Sequence, residues 1–330
     1  MKVFRFREER FAHVNVAGRS LKGVQDYFLK DVIDIDDERD IPEDVEGYYC
    51  VLYNDTPLVN DQFLDELAAE CEGLKTCYKI GDGYITFKGY TGGYKTCENI
   101  FAFQVKSLAD VGAVSMHLKD YVMAKYLDRN VIIYDPVTTY IDLDVVIEDG
   151  AIIHPMVVLR GKTHVHKNAV LFPNCELIDT EVGENVDIRS TYALEAKIGD
   201  NTTVGPYACL RKGANIGACC RVGDFVEIKN SNISDGVKMA HLAYVGDSDV
   251  GENTNVGCGS VFANYNGVTK NRCSVGSNVF IGANTNLVAP VTVHNGAFIA
   301  AGSTITQDIP EGNMCIARSR QVFKPNWERK

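Results

Sequence analysis

No run of apolar residues in the 330-residue chain approaches the roughly 20 that a membrane-spanning helix requires. The opening stretch MKVFRFREERF carries charge throughout and has no apolar segment, so no secretory leader is expected there. Basic charge is outweighed: 33 Lys and Arg against 44 Asp and Glu leave a net charge of −11, which argues against a nucleic-acid or anionic-membrane surface. No CxxC pair occurs among the 11 cysteines, an odd number scattered through candidate strands. Reduced, structural thiols in a cytoplasmic protein are the expectation. Cys219-Cys220 is a redox pair only on paper, because adjacent strand residues point to opposite faces.

What is present is a beat of six. One run reads Ile141, Ile147, Ile153, Leu159, Val165, Leu171, Leu177; a second Ile198, Val204, Leu210, Ile216, Val222, Ile228; a third Val275, Ile281, Leu287, Val293, Ile299, Ile305. Neither a helix, with period 3.6, nor a strand, with period 2, gives a strict six. Hexapeptide spacing predicts a left-handed parallel β-helix, each hexad supplying one short strand and one turn, three hexads closing a triangular coil. Gly after the inward position (Gly183, Gly199, Gly223, Gly276, Gly282) is read as supplying turn backbone that bulkier residues tolerate poorly.

Three regions follow: a small α/β domain over 1–129, the β-helix over 130–316 and a basic tail over 317–330. In the first, Tyr48–Tyr53 reads as a buried strand, 61–71 as a helix, 78–87 as a hairpin around an Asp-Gly turn, and 111–129 as an amphipathic helix leading into the coil. Residues 31–46 hold nine Asp or Glu and read as a solvated loop, a metal or partner site being the alternative. The beat slips between Phe262 and Val275, thirteen residues apart instead of six, so a loop bearing Asn264, Tyr265, Asn266, Lys270 and Arg272 must leave the coil. Such excursions reach across to neighbours, and a homotrimer with sites between subunits is expected. The coil is expected to end at 308–312. The tail, with Arg318, Arg320, Lys324, Arg329 and Lys330 against Glu328, suits a phosphorylated ligand or is a solvated extension.

His164 and His166 flank the inward Val165, so both should point outward, solvated rather than metal-bound. The coil's histidines make no three-histidine zinc constellation, and no metal is expected. His241 differs by its company. Glu227, Lys229, Tyr244 and Arg211 stand on adjacent coils at outer or turn positions, more polar chemistry than a solenoid needs, with ordinary polar surface as the alternative.

Residues from about 130 to 330 closely resemble the acetyltransferase domain of the bifunctional bacterial glucosamine-1-phosphate acetyltransferase and N-acetylglucosamine-1-phosphate uridylyltransferase. The stretches that carry the resemblance are Leu210-Arg211, Asp224-Phe225-Val226-Glu227, Lys238 to Asp247, Val250 to Gly257, Asn264-Tyr265, Asn286 to Val293, Ala300 to Ile305 and Ile316-Ala317-Arg318. The resemblance implies acetyl transfer from acetyl-CoA to the amine of glucosamine 1-phosphate, without a metal, on the route to UDP-N-acetylglucosamine and peptidoglycan. It makes His241 the general base, a role suited to a group titrating near neutrality, and Glu227 the residue that orients it. Arg211, Lys229 and, from a neighbouring subunit, Lys270 would hold the sugar phosphate. Tyr244, Asn255 and Asn264 would touch the sugar. Cys258, Ala283, Ala301 and Arg318 would line acetyl-CoA, with a backbone N–H near Cys258 as a candidate oxyanion donor.

Two departures from that family bear on affinity: Asn266 replaces an Asp and Ala283 a hydroxyl. A third is larger. The family's uridylyltransferase domain opens with a Gly-rich phosphate loop that nothing here matches, although Val51 to Leu58 resembles the end of its metal-binding strand, with Asn54 in place of a Gly before Asp55. Residues 1–129 are therefore read as a shrunken relic without uridylyltransferase activity, open to a role in capping the trimer or binding a regulator. The alternatives to the leading reading are an acetyltransferase for another amino sugar or sugar nucleotide and a non-catalytic trimeric scaffold.

Overall fold

The computed structural model describes residues 1–7, 11, 14–127, 129–325 and 327, so Glu328, Arg329 and Lys330 of the expected basic tail lie outside the described residues. The chain divides into two compact units, Met1–Val122 and Met123–Lys330.

The first unit is a six-stranded mixed sheet in the order Val32–Ile35, Lys2–Phe6, Tyr48–Leu52, Gly83–Phe87, Cys77–Ile80, Tyr94–Thr96. The first three run parallel, and the hairpin of Cys77–Ile80 with Gly83–Phe87 is antiparallel. Its core gathers Cys50, Leu52, Val59 and Ile80 with Phe63, Leu64 and Leu67 of the helix Asp61–Leu74. The acidic run departs from the solvated loop expected of it. Val32, Ile33 and Ile35 are β-formers, and Val32–Ile35 pairs with Lys2–Phe6 as an edge strand. Its Asp34 accepts from Arg5, a guanidinium only 2% exposed that also pairs with Asp26. Burial pushes the Asp34 carboxyl up, but Arg5 overrides it and the net shift is downward. The hairpin turns on Gly81-Asp82, Gly81 taking φ +60°, one residue before the Asp-Gly pair expected there.

The second unit is a left-handed parallel β-helix. Every residue of the three runs of period six is buried. Strands mostly two or three residues long stack in parallel register from coil to coil. One ladder runs Cys209–Leu210, Glu227–Ile228, Tyr244–Val245; a second Thr203–Val204, Arg221–Val222, Lys238–Met239; a third Ile147, Val165, Val182, Ile198. The coil continues past 308–312, because Met314–Cys315 pairs with Phe298–Ile299. Among side-chain-bearing residues, turn backbone at positive φ falls most often to Asn, at 168, 174, 185, 201, 230, 253, 278 and 284, which tolerates the left-handed region better than other side chains.

Glycines after the inward positions answer a different need from the one expected. Gly223 is not at positive φ; a Cβ there would lie 1.8 Å from the Ala240 carbonyl oxygen of the next coil. The requirement is close approach of two backbones, which cannot move apart without breaking the ladder. Gly223→Ala should destabilise the chain by about 1–3 kcal/mol as an overpacking change, and an unchanged thermal midpoint would contradict this account of the corner.

Thiols behave as structural groups. Burial pushes Cys175 and Cys273 up to about 11, keeping both protonated. Cys219 is exposed and Cys220 buried, on opposite faces as their adjacency requires. Among the described residues no helix is long and apolar enough to cross a membrane.

Candidate active site

Two strands break the short-strand rule. Arg221–Lys229 and Lys238–Gly246 each run nine residues, continuing around a corner of the triangle through Phe225 and Leu242, both at positive φ. Phe225 stacks on Tyr207 one coil before it, ring centroids 5.6 Å apart. Just before this corner Asp224 and His241 are register partners, and His241 Nδ1 lies 2.8 Å from Asp224 Oδ1. Both are exposed, at 58% for His241 and 40% for Asp224. The hydrogen bond from the imidazole holds the Asp224 carboxyl below its ordinary range. With Nδ1–H donated to Asp224, the imidazole presents Nε2 as an acceptor. A cavity of about 460 Å³ opens beside the pair, lined by Arg189, Thr203, Pro206, Arg221, Asp224 and Ala240.

Among the described residues, then, the carboxylate on His241 is Asp224 and not Glu227. Glu227 sits three residues further along the same strand, opposite Tyr244, where it accepts from Arg211 at 2.8 Å. The expected pairing of Glu227 with His241 is corrected accordingly. In the sequence Asp224 stands out only as part of a motif; its signal is the spacing of 17 residues to His241, one coil.

Past the corner the outer face gathers cations. Lys229 is pushed down chiefly by its like-charged neighbour Lys270, with Arg211 adding to the effect. Lys270 was expected from a neighbouring subunit; here its own chain brings it to Lys229. The excursion between Ala263 and Cys273 folds as a small hairpin, closed by a bridge between Tyr265 and Lys270, with Asn266 Oδ1 accepting from the backbone N–H groups of Val268 and Thr269. Arg272 pins its base, reaching Asp249 at 2.6 Å and the Asn230 carbonyl at 3.1 Å. Beneath the lysines lies Asp247, buried, accepting from Asn230 and Asn264. Burial pushes its carboxyl up, but the two amides and the two lysines prevail and the net shift is downward. Asp247 is a supporting anion that the linear motif did not single out.

Tyr244 and Asn264 meet, the amide donating to the phenol at 3.4 Å. Asn255 does not join them. It follows Lys238 in the ladder of the other face. From the corner an edge runs along successive coils: Gly259 N–H donates to the Leu242 carbonyl, Asn284 N–H to Cys258, Gly302 N–H to Ala283, and Arg318 Nη1 reaches the Ala301 carbonyl at 2.5 Å. Cys258, Ala283, Ala301 and Arg318 are thus aligned and exposed, and the first three are small enough to leave backbone accessible. Four coils at the usual strand spacing make this edge roughly 19 Å long. In the first unit Asp55 is buried, its carboxylate accepting from Gln104 at 3.1 Å.

Residues 195–230 and 272–307 match the model of bacterial transferase hexapeptide (six repeats). The chain is 47% identical over 220 residues to the bifunctional protein GlmU of Clostridium acetobutylicum, covering 67% of this chain and 48% of that one. It is 40% identical over 238 residues to the GlmU of Brevibacillus brevis, covering 72% and 52%. The chain spans about half the length of the curated relatives it matches. A solved Arabidopsis UDP-N-acetylglucosamine acyltransferase superposes with a TM-score of 0.38 at 16% identity, over 55% of this chain and 70% of that one. The chain is a hexapeptide-repeat β-helix protein related, over two thirds of its length, to the bifunctional protein GlmU.

Proposed function

We propose that the protein transfers an acetyl group from acetyl-CoA to the amine of glucosamine 1-phosphate, giving N-acetylglucosamine 1-phosphate for UDP-N-acetylglucosamine synthesis. One observation carries the reading. A carboxylate-held imidazole, His241 on Asp224, stands at the head of an open edge ending in Arg318, beside a face where Arg211, Lys229 and Lys270 crowd with Asp247 beneath them. The crowded lysines are a site for a dianion, and the edge is a track for an extended thioester.

In this reading His241 Nε2 takes the proton as the sugar amine attacks the thioester carbon. The C–N bond forms, the C–S bond breaks, and the proton passes on to the leaving thiolate. Asp224 fixes the tautomer and balances the imidazolium. Cys258, Ala283 and Ala301 offer backbone along the pantetheine arm and Arg318 a cation for its phosphates. Asn255 faces away from Tyr244 and Asn264, which supports a homotrimer in which a second copy completes each sugar site. The first unit is taken as a degenerate nucleotidyltransferase relic without uridylyltransferase activity. The burial of Asp55 away from any surface supports this. The thiol-rich, reduced chain fits a cytoplasmic enzyme.

Mass-spectrometric product analysis tests the proposal, with acetyl-CoA and either glucosamine 1-phosphate or glucosamine 6-phosphate, followed by UTP and magnesium. Acetylation of the 1-phosphate alone, with no UDP-sugar formed, is the expected result. No acetylated product would sink the activity, and a UDP-sugar would sink the relic reading.

The two carboxylates separate by kinetics. Asp224→Asn should lower kcat about tenfold, because the amide cannot balance an imidazolium. Glu227→Gln should leave kcat nearly unchanged and alter KM for the sugar phosphate through Arg211. The reverse pattern would restore Glu227 as the partner of His241.

A further inference from the structure

The third face of the coil carries a cluster for which the proposed acetyl transfer has no use. His164 and His166 flank the inward Val165, so both side chains leave the same side of the strand, and their rings stack with centroids 3.9 Å apart. One coil earlier, Glu148 follows Ile147, the register partner of Val165. Its Oε1 lies 2.9 Å from His164 Nε2 and 3.1 Å from His166 Nδ1. Neither histidine is the freely solvated side chain expected from its position: all three residues are about a quarter to a third exposed. Their ligand atoms all fall within 4.8 Å of one another.

We propose that Glu148, His164 and His166 form a binding site for a divalent first-row transition metal of the zinc type. Two imidazole nitrogens and one carboxylate oxygen are the donor set that such ions favour over magnesium or calcium. Zinc bonds of about 2.0–2.2 Å place tetrahedral ligands about 3.4 Å apart, so the carboxylate oxygen, at 2.9 and 3.1 Å from the two ring nitrogens, need draw back only by a few tenths of an ångström. Geometry behind the ligands agrees. On the following coil Glu181 places Oε1 3.8 Å from His166 Nε2, the nitrogen a metal on Nδ1 would leave free, and Lys197 holds Glu181 at 3.5 Å. A carboxylate on the distal nitrogen of a histidine is the usual outer support of a ligating imidazole. Three protein ligands leave a fourth position open to water. The bound ion ties two successive coils together, and since the unfolded chain scatters these ligands, metal binding stabilises the fold.

The two histidines lie three coils from the one bearing Asp224, roughly 14 Å along the solenoid axis, so the loss of their site should leave acetyl transfer intact. The test uses the full chain stripped by chelation and titrated with Co²⁺, then Zn²⁺, followed by visible absorption and thermal melting. One equivalent of Co²⁺ with nitrogen and oxygen ligation is expected, displaced by Zn²⁺ and unaffected by millimolar Mg²⁺. The thermal midpoint should rise with Zn²⁺. The double variant His164→Ala/His166→Ala should lose that equivalent, and Glu148→Gln, which changes no volume, should lose it while folding as before. Glu181→Gln should weaken binding about 10- to 100-fold without changing the stoichiometry. Equal affinity and stoichiometry in the parent and Glu148→Gln chains would overturn the assignment. So would a sulfur-to-cobalt charge-transfer band as the only signal, since it would place the ion on cysteines.

Discussion

Replacing His241 by Ala is expected to lower kcat for acetyl transfer about 10²- to 10⁴-fold, the range that a positioned general base supplies. The fold should be untouched. The side chain is more than half exposed and makes its recorded hydrogen bond to Asp224 alone, while the inward residues of its strand, Met239 and Val245, hold the coil. The Kd for acetyl-CoA should be unchanged as well, because the edge from Leu242 to Arg318 is built from backbone and small side chains that His241 does not support. Loss confined to kcat marks an interaction made as the proton moves, whereas a rise in KM at constant kcat would mark a binding residue. Activity equal to the parent chain would remove His241 from the mechanism and leave the scaffold reading standing. A melting curve and the oligomeric state of the variant, measured alongside, separate lost chemistry from lost structure.

The fold was legible because the inward position of each hexad is decided by water: a polar residue there would break the stack, so the beat shows in the sequence itself. The site was legible only in part, for a reason specific to solenoids. Side chains meet across coils, and the partner of a residue depends on how many residues each coil spends on its turns. Asp224 and Glu227 are three residues apart, equally plausible neighbours of His241 on a linear reading. Coil length decides: a step of 17 residues sets Asp224 opposite His241 and Glu227 opposite Tyr244. The same blindness separated Glu148 from His164 and His166, 16 and 18 residues further on. Lys270 was harder still. The length of the excursion from the coil is countable, but the direction in which its hairpin folds rests on the Arg272–Asp249 pair, which no periodicity announces. In the first unit an excess of acid masked the strand Val32–Ile35, because Asp31, Asp36 and Asp37 crowd around four strand residues that themselves include Asp34, and such a segment looks the same as a charged loop.

The paired lysines carry the second large effect, and it has a pH signature. Lys229 is pushed down by Lys270, whereas a bound phosphate dianion would draw it back up. Binding therefore takes up a proton once pH exceeds the lowered pKa of the free site. Affinity for the sugar phosphate should be flat between the second pKa of the phosphate, about 6, and that point, fall as pH rises through it, and fall earlier than for an ordinary lysine. N-acetylglucosamine 1-phosphate is the ligand to use, since it lacks the amine and titrates at its phosphate alone. Lys270→Met should weaken its binding about tenfold at neutral pH by removing one charge-assisted contact. It should also shift the alkaline fall to higher pH, because Lys229 then loses its like-charged neighbour. Lys229→Met should weaken binding similarly and abolish the early alkaline fall, which belongs to that residue. Raising the salt concentration should narrow the difference between parent and variants, since both lysines face solvent. A Kd that follows the same pH curve in all three chains would show that the two ammonium groups do not share one phosphate, and the sugar-phosphate site would have to be sought away from this face.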